Sequence, residues 1–290
     1  MSKVLFIDTT DSVLKTELEN AGFECAYFAD WNIEDYIKNI NEYTGIIIRS
    51  KFRLDKEILD KAIKLKFIGR VGSGLENIDL TYATKKGIRC FNSPEGNRDA
   101  VGEHTIGLLL SLLNKINIAN RQVKQALWLR EENRGLEIKG KTIAIIGYGN
   151  MGSAFAEKIR AFGAEIIAYD KYKKDYAPAY VIETDLKTIF LNADILSLHV
   201  PLTPETHYLV NNEFINNFSK NIYLINTSRG SVVKTSDLVK GLESGKIIGA
   251  ALDVLEYEDI SFEKMNFAKL PADFDYLVKA DNVILTPHIA

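Results

Sequence analysis

Three side chains stand where strand-like apolar runs stop, and together they could carry out proton and hydride chemistry on a small acid. Arg229 follows the run Ile222–Thr227, Glu258 follows Ile248–Leu255, and His288 follows Val283–Leu285. An arginine fork stays charged and binds carboxylate and carbonyl oxygens in its own plane. An imidazole titrates near neutrality and can give or take a proton. A carboxylate beside it orients the ring and favours the protonated form that ketone reduction requires. Taken singly, each has a plainer reading: a surface cation, a solvated acid and a terminal loop residue. The other histidines are weaker candidates. His104 falls on the apolar face of a helical pattern and reads as a core residue, His199 reads as structural at a strand end, and His207 reads as exposed.

Hydride chemistry needs a carrier, and Lys141–Asp170 supplies the pattern for one. Thr142–Ile146 is a short β-branched run suited to a strand buried on both faces. Gly147-Tyr148-Gly149-Asn150-Met151-Gly152 then fits G-x-G-x-x-G, a helical stretch follows, and a second apolar run ends in Asp170. Gly147 allows the sharp turn, Gly149 lets a pyrophosphate approach the backbone, and Gly152 lets the helix pack on the strand. The helix N-terminus presents free N–H groups to the phosphates. Asp170 can accept both ribose hydroxyls and repels a 2′-phosphate, so the expected cofactor is NAD rather than NADP.

These groups need strands and helices to hold them. Residues 1–92 alternate strand-like and helix-like runs, which predicts a parallel, doubly wound sheet. At two of its strand ends lie Arg49, beside Lys51 and Arg53, and Val71-Gly72-Ser73, whose small residues suit a backbone nest for an anion. The turn-rich Asn92–Arg98 marks a boundary. Residues 99–125 read as one long helix, and a polar connection leads to a second sheet. The fold class is therefore α/β, with one domain over 1–97 and a second, dinucleotide-binding domain over 98–287.

The 290 residues carry a net charge of -3 without a basic block, so neither nucleic acid nor an anionic membrane is expected as a partner. MSKVLFID enters a strand directly and does not read as a signal peptide. The two cysteines, Cys25 and Cys90, read as buried reduced thiols, which points to the cytoplasm. No Cys/His cluster has ligand spacing, so no metal is expected.

Taken together, GYGNMG with Asp170, HVPLTPETHYLVN, NTSRGSVV, AALDVLEYE and TPHIA, in that order, resemble the D-isomer-specific 2-hydroxyacid dehydrogenases. GRVGSGLENID and NSPEGNRDAVGEHTIGLLLSL also fit. The resemblance implies a flavodoxin-like substrate-binding domain over 1–97, towards which 288–290 return, and a Rossmann NAD-binding domain over 98–287. It implies Arg229 as the substrate-binding arginine, Glu258 as the acid paired with histidine, and His288 as the acid/base. Val71, Gly72 and Ser73 would offer N–H groups to the substrate carboxylate. Tyr148, Gly149, Asn150, Met151, Asp170, Val200, Pro201, Thr206, Thr227, Arg229, Asp253 and His288 would line the NAD site. The helix from Asp99 would be part of the arm that makes a two-fold dimer. Two departures stand out. Asp259 replaces the family's usual Pro after the acid, and the family normally continues beyond the position of Ala290.

The resulting expectation is an NAD-dependent oxidoreductase for a D-2-hydroxyacid and its 2-keto partner. Arg49 with Lys51 and Arg53 points to 3-phosphoglycerate and 3-phosphohydroxypyruvate, and hence to serine synthesis. Glyoxylate or hydroxypyruvate reduction is the enzyme alternative. A non-catalytic NAD(H)-sensing, corepressor-like protein is the alternative from another class, and the intact Arg229, Glu258 and His288 set argues against it.

Overall fold

The structure is a computed structural model that describes residues 1–28, 30–258 and 271–290. Asp259 lies outside the described residues. The described residues divide into two compact units, one of residues 1–97 with Glu258 and one of residues 98–257 with 271–290. Glu258 thus groups with the first unit and residues 288–290 with the second.

In the first unit the order is β1 (Ser2–Phe6), α1 (Ser12–Asn20), β2 (Phe23–Tyr27), α2 (Ile33–Asn39), β3 (Gly45–Ile48), α3 (Lys56–Lys61), β4 (Phe67–Arg70), α4 (Leu80–Lys85) and β5 (Arg89–Asn92). The strands pair in parallel as β2-β1-β3-β4-β5. Each helix starts at an Asp or Asn whose side chain accepts an N–H of the first turn: Asp11, Asn32, Asp55 and Asp79. Gly45–Ile48 is buried throughout, as the middle strand of a sheet covered on both faces must be. Cys25 and Cys90 differ from expectation. They are half-buried because β2 and β5 are the sheet's edges.

The second unit opens with α5 (Arg98–Leu113) and α6 (Ile116–Lys124). The single helix expected over 99–125 is therefore two. Lys115 takes a left-handed φ of 53°, and the Leu113 carbonyl accepts the N–H of Leu136, at 3.1 Å, from the returning connection. That bond ends the helix by giving a terminal carbonyl a partner outside it. Then follow β6 (Thr142–Ile146), α7 (Asn150–Ile159), β7 (Glu165–Tyr169), β8 (Ile182–Glu183), α8 (Leu186–Asn192), β9 (Ile195–Leu198), α9 (Asn212–Asn216), β10 (Ile222–Asn226), α10 (Thr235–Glu243), β11 (Ile247–Leu252), α11 (Ala272–Lys279) and β12 (Val283–Leu285). The described strands run parallel in the order β12-β11-β10-β9-β6-β7-β8. The strand order reverses at β6, so the crevice beyond its C-terminal end is the switch point where an open parallel sheet binds ligands. The core lies on both faces of this sheet. One side gathers Leu196, Leu198, Leu224 and Leu238, and the other Ile143, Ile145, Phe155 and Leu109.

Candidate active site

Strand β6 is buried at all five residues and delivers Gly147 to the switch point. Gly147 has φ +91°, and a Cβ on Gly152 would lie 2.1 Å from the Gly147 carbonyl oxygen. The turn and the first helical residues therefore close on each other at a distance only glycine permits. Gly149 faces open space and is the N-cap of α7 without a side-chain cap bond. Asn150 and Met151 begin the helix there. At the end of neighbouring β7, Asp170 accepts the Tyr148 N–H on Oδ2 and the Tyr172 N–H on Oδ1, each at 3.0 Å. The Tyr148 side chain is buried against Tyr176, so that residue faces the crevice through its backbone. Open glycine, an uncapped helix start and a fixed strand-end carboxylate together fit a dinucleotide.

The loop after β9 carries Val200, Pro201 and Thr206. It is closed by Thr206 Oγ1 donating to the Pro201 carbonyl at 2.6 Å. At the end of β10 the Thr227 hydroxyl lies 3.1 Å from that of Thr105 on α5. Buried Asn226 shapes the following turn. Its Nδ2 donates to the Arg229 carbonyl at 2.9 Å, and its Oδ1 accepts the Ser228 N–H at 3.0 Å. Arg229 Nη1 donates to the Ser228 carbonyl at 2.7 Å. The next residue is glycine because a Cβ there would lie 1.9 Å from the Leu255 carbonyl oxygen. The arginine turn and the chain leaving β11 are thereby in direct contact. That chain is fixed by Glu256, which accepts the Tyr208 hydroxyl at 2.5 Å and the Thr235 N–H at 2.7 Å. The bond to Glu256, and then burial, push the half-buried Tyr208 hydroxyl up to about 12.

Asp253, 1% exposed, organises the end of the chain. Its Oδ1 accepts the Thr286 hydroxyl at 2.6 Å and the Ile289 N–H at 3.1 Å, and its Oδ2 accepts the Ala290 N–H at 3.1 Å. Its backbone carbonyl accepts the His288 N–H at 2.7 Å. Thr286 has one proton and gives it to Asp253. The contact of 3.2 Å from His104 Nε2 to the Thr286 hydroxyl therefore has the imidazole N–H as donor. The same nitrogen lies 3.3 Å from Asp253 Oδ1. His104 is thus a polar link from α5 to the His288 loop rather than a core residue on an apolar face. His288 itself sits at φ +53°, a left-handed conformation that a side chain adopts only when its surroundings impose it.

In the first unit, exposed Arg49 follows β3. The N–H groups of Arg49 and Ser50 both donate to Asp8 Oδ2, at 2.6 and 3.1 Å. Lys51 Nζ turns away to the Tyr36 hydroxyl at 3.2 Å. The structure corrects Val71 as an anion donor. Its N–H continues the sheet ladder to the Ile48 carbonyl at 2.9 Å, which leaves Gly72 and Ser73. Gly72 has φ +147°, and a Cβ there would strike the Arg70 guanidinium at 1.7 Å. Arg70, whose Nε donates to the Arg49 carbonyl at 3.2 Å, therefore lies against this turn.

The family model for the D-isomer specific 2-hydroxyacid dehydrogenase NAD binding domain matches residues 106–290. This chain belongs to that dehydrogenase family. A D-3-phosphoglycerate dehydrogenase of Archaeoglobus fulgidus is 33% identical over 290 residues, covering 99% of this chain and 53% of the relative. The chain spans about half the length of the curated relatives of that kind. A glyoxylate reductase of Thermofilum pendens is 38% identical over 270 residues, covering 90% of this chain and 76% of the relative. Among solved structures, D-lactate dehydrogenase of Aquifex aeolicus, complexed with NAD and lactic acid, superposes with a TM-score of 0.82 at 30% identity, covering 99% of this chain and 88% of that one. The second unit of this family member is accordingly an NAD-binding domain.

Some residues that shape the dehydrogenase-family site were not singled out from the sequence. Asn226 lies inside NTSRG and Glu256 inside LDVLEYE, where a buried amide and a second acid were available as signals. The histidine after β9, His199, is structural in geometry: its Nε2 meets Ser197 Oγ at 2.8 Å, and burial pushes the imidazole down to about 3. It stays neutral and takes no part in proton transfer near neutrality. Among the described residues, no group of three His, Cys, Asp or Glu could hold a metal ion.

Proposed function

We propose that the protein is an NAD-dependent D-2-hydroxyacid dehydrogenase, with 3-phosphoglycerate and 3-phosphohydroxypyruvate as its substrate pair. The observation that carries the enzyme reading is Asp253 holding the His288 loop at the sheet end that also bears Arg229 and the glycine turn. NAD(H), when bound, supplies or accepts the hydride. Arg229 binds the substrate carboxylate and polarises the carbonyl. His288 gives a proton to the forming alkoxide in reduction and removes one from the hydroxyl in oxidation. Glu258 has the role of favouring the protonated imidazole. Gly72 and Ser73 offer N–H groups to the carboxylate. Gly147, Gly149, Asn150, Met151, Gly152, Asp170, Val200, Pro201, Thr206, Thr227 and Asp253 form the coenzyme side. The sensor reading has no use for a proton-transfer group held in this way.

For the substrate, exposed Arg49 supplies a cation for a phosphate, and several relatives are named D-3-phosphoglycerate dehydrogenases. The relatives named glyoxylate reductase and hydroxypyruvate reductase keep the unphosphorylated acids as the alternative. A place in serine synthesis and in the cytoplasm goes with the first reading, and half-buried free cysteines suit a reducing compartment. A homodimer is part of the proposal because the α6 region leaves Val123, Trp128 and Leu129 exposed, at 52%, 76% and 37%. NADH oxidation with phosphohydroxypyruvate, hydroxypyruvate, glyoxylate and pyruvate is the test. Preference for the phosphorylated acid, lost in Arg49→Ala, supports the reading, and turnover of the unphosphorylated acids alone replaces it.

A further inference from the structure

The sequence after the ribose-facing acid is Asp170-Lys171-Tyr172-Lys173-Lys174. Cations at this place in a Rossmann unit are what a 2′-phosphate uses, so the stretch carries both an NAD signal and an NADP signal. The structure resolves the conflict with a residue from another loop. Lys171 Nζ lies 2.8 Å from Glu205 Oε2, and the Tyr172 hydroxyl donates to the same oxygen. Lys173 Nζ donates to the Tyr148 carbonyl at 2.8 Å, which turns it back onto the glycine loop. Glu205 itself stands in the turn that Thr203 and Thr206 close, with the Thr203 N–H donating to Thr206 Oγ1 at 2.8 Å. That turn follows β9 and Lys171 follows β7, and these two strands flank β6. The ion pair therefore bridges the two loops on either side of the strand that bears the glycine turn.

We propose that Glu205 is a coenzyme-selectivity residue: by holding Lys171 and Tyr172 it denies a 2′-phosphate its cation. The hydrogen bond from Lys171 holds the Glu205 carboxyl below its ordinary range, so the charge persists at working pH. Both partners are 54% exposed, so the effect is a screened surface interaction and moderate in size. The proposal rests on the NAD-binding domain, not on which acid is reduced.

The test is equilibrium binding of NADH and NADPH to the full chain, followed by nicotinamide fluorescence, for wild type and Glu205→Gln. The expected result is NADPH binding tightened by about 3- to 10-fold in Glu205→Gln, with NADH changed by less than about twofold. Glu205→Asp should keep the wild-type ratio, and adding Lys171→Met to Glu205→Gln should restore it. The gain should vanish at roughly 0.5 M salt. An unchanged NADPH/NADH ratio in Glu205→Gln, at an unchanged melting temperature, overturns the proposal and leaves the coenzyme assignment intact. Gain persisting in the double variant overturns it too, because Lys171 would not be the released cation. Failure of the wild type to bind either dinucleotide would remove the coenzyme assignment itself, and this proposal with it.

Discussion

The Asp253 carbonyl accepts the His288 N–H at 2.7 Å, and the Asp253 carboxylate takes the N–H groups of the two residues that follow. One buried residue thus fixes the position of the candidate acid/base by gripping its backbone on both sides. A left-handed His288 requires such a grip. Asp253→Ala leaves two N–H groups and the Thr286 hydroxyl without their acceptor. We expect a stability loss of about 1–3 kcal/mol, read by thermal unfolding, together with a fall in kcat. A variant with normal turnover would mean the loop is held by other contacts.

His288→Ala removes the proton donor and should lower kcat/KM by roughly 10²- to 10⁴-fold while NADH still binds. Arg229→Lys keeps the charge but loses the planar fork, so KM for the keto acid should rise as well as kcat fall. Steady-state kinetics with parallel NADH titration checks both. Retained turnover in His288→Ala would assign the proton to another group.

His104 reaches the same loop through Thr286, at 3.2 Å. His104→Phe fills the space without donating. It should reduce kcat more than it changes KM or NADH affinity, and His104→Gln, which can still donate, should recover part of the loss. Equal damage by Phe and Gln would reduce His104 to a packing role.

Gly152→Ala places a Cβ 2.1 Å from the Gly147 carbonyl oxygen. Because the contact is with backbone, the glycine turn must open. NADH affinity should fall by more than about tenfold, with a melting temperature lower by several degrees. An alanine variant that binds NADH normally would contradict the closeness of helix and turn.

Burial pushes the His199 imidazole down to about 3, from an ordinary value near 6.5. Above pH 6.5 the residue is neutral folded and unfolded, and it leaves stability unchanged. As pH falls below 6.5 the unfolded chain takes up a proton that the folded chain refuses, so stability drops, and the drop levels off near pH 3. At pH 5 the loss from this residue is roughly 2 kcal/mol. Melting temperature against pH should therefore be flatter between pH 6.5 and 4.5 in His199→Gln than in wild type. Parallel curves would show that the imidazole is not shielded.

The sequence by itself determined the strand-helix alternation, the glycine turn with Asp170, and the order of Arg229, Glu258 and His288 along the chain. These are legible because each is set over a few residues. Strand periodicity and the turn glycines act within one or two elements. The helix expected over 99–125 breaks at Lys115, where the Leu113 carbonyl is taken by Leu136, a residue from a separate connection. The Val71 N–H finds its acceptor, the Ile48 carbonyl, only because β3 lies beside it. The polar network of His104, Thr286 and Asp253 joins α5, β11 and the end of β12, and the pairing of Lys171 with Glu205 joins the loops after β7 and β9. Only the tertiary structure decided these, since hydrogen bonds and ion pairs act over a few ångströms and the sheet order alone brings distant segments that close.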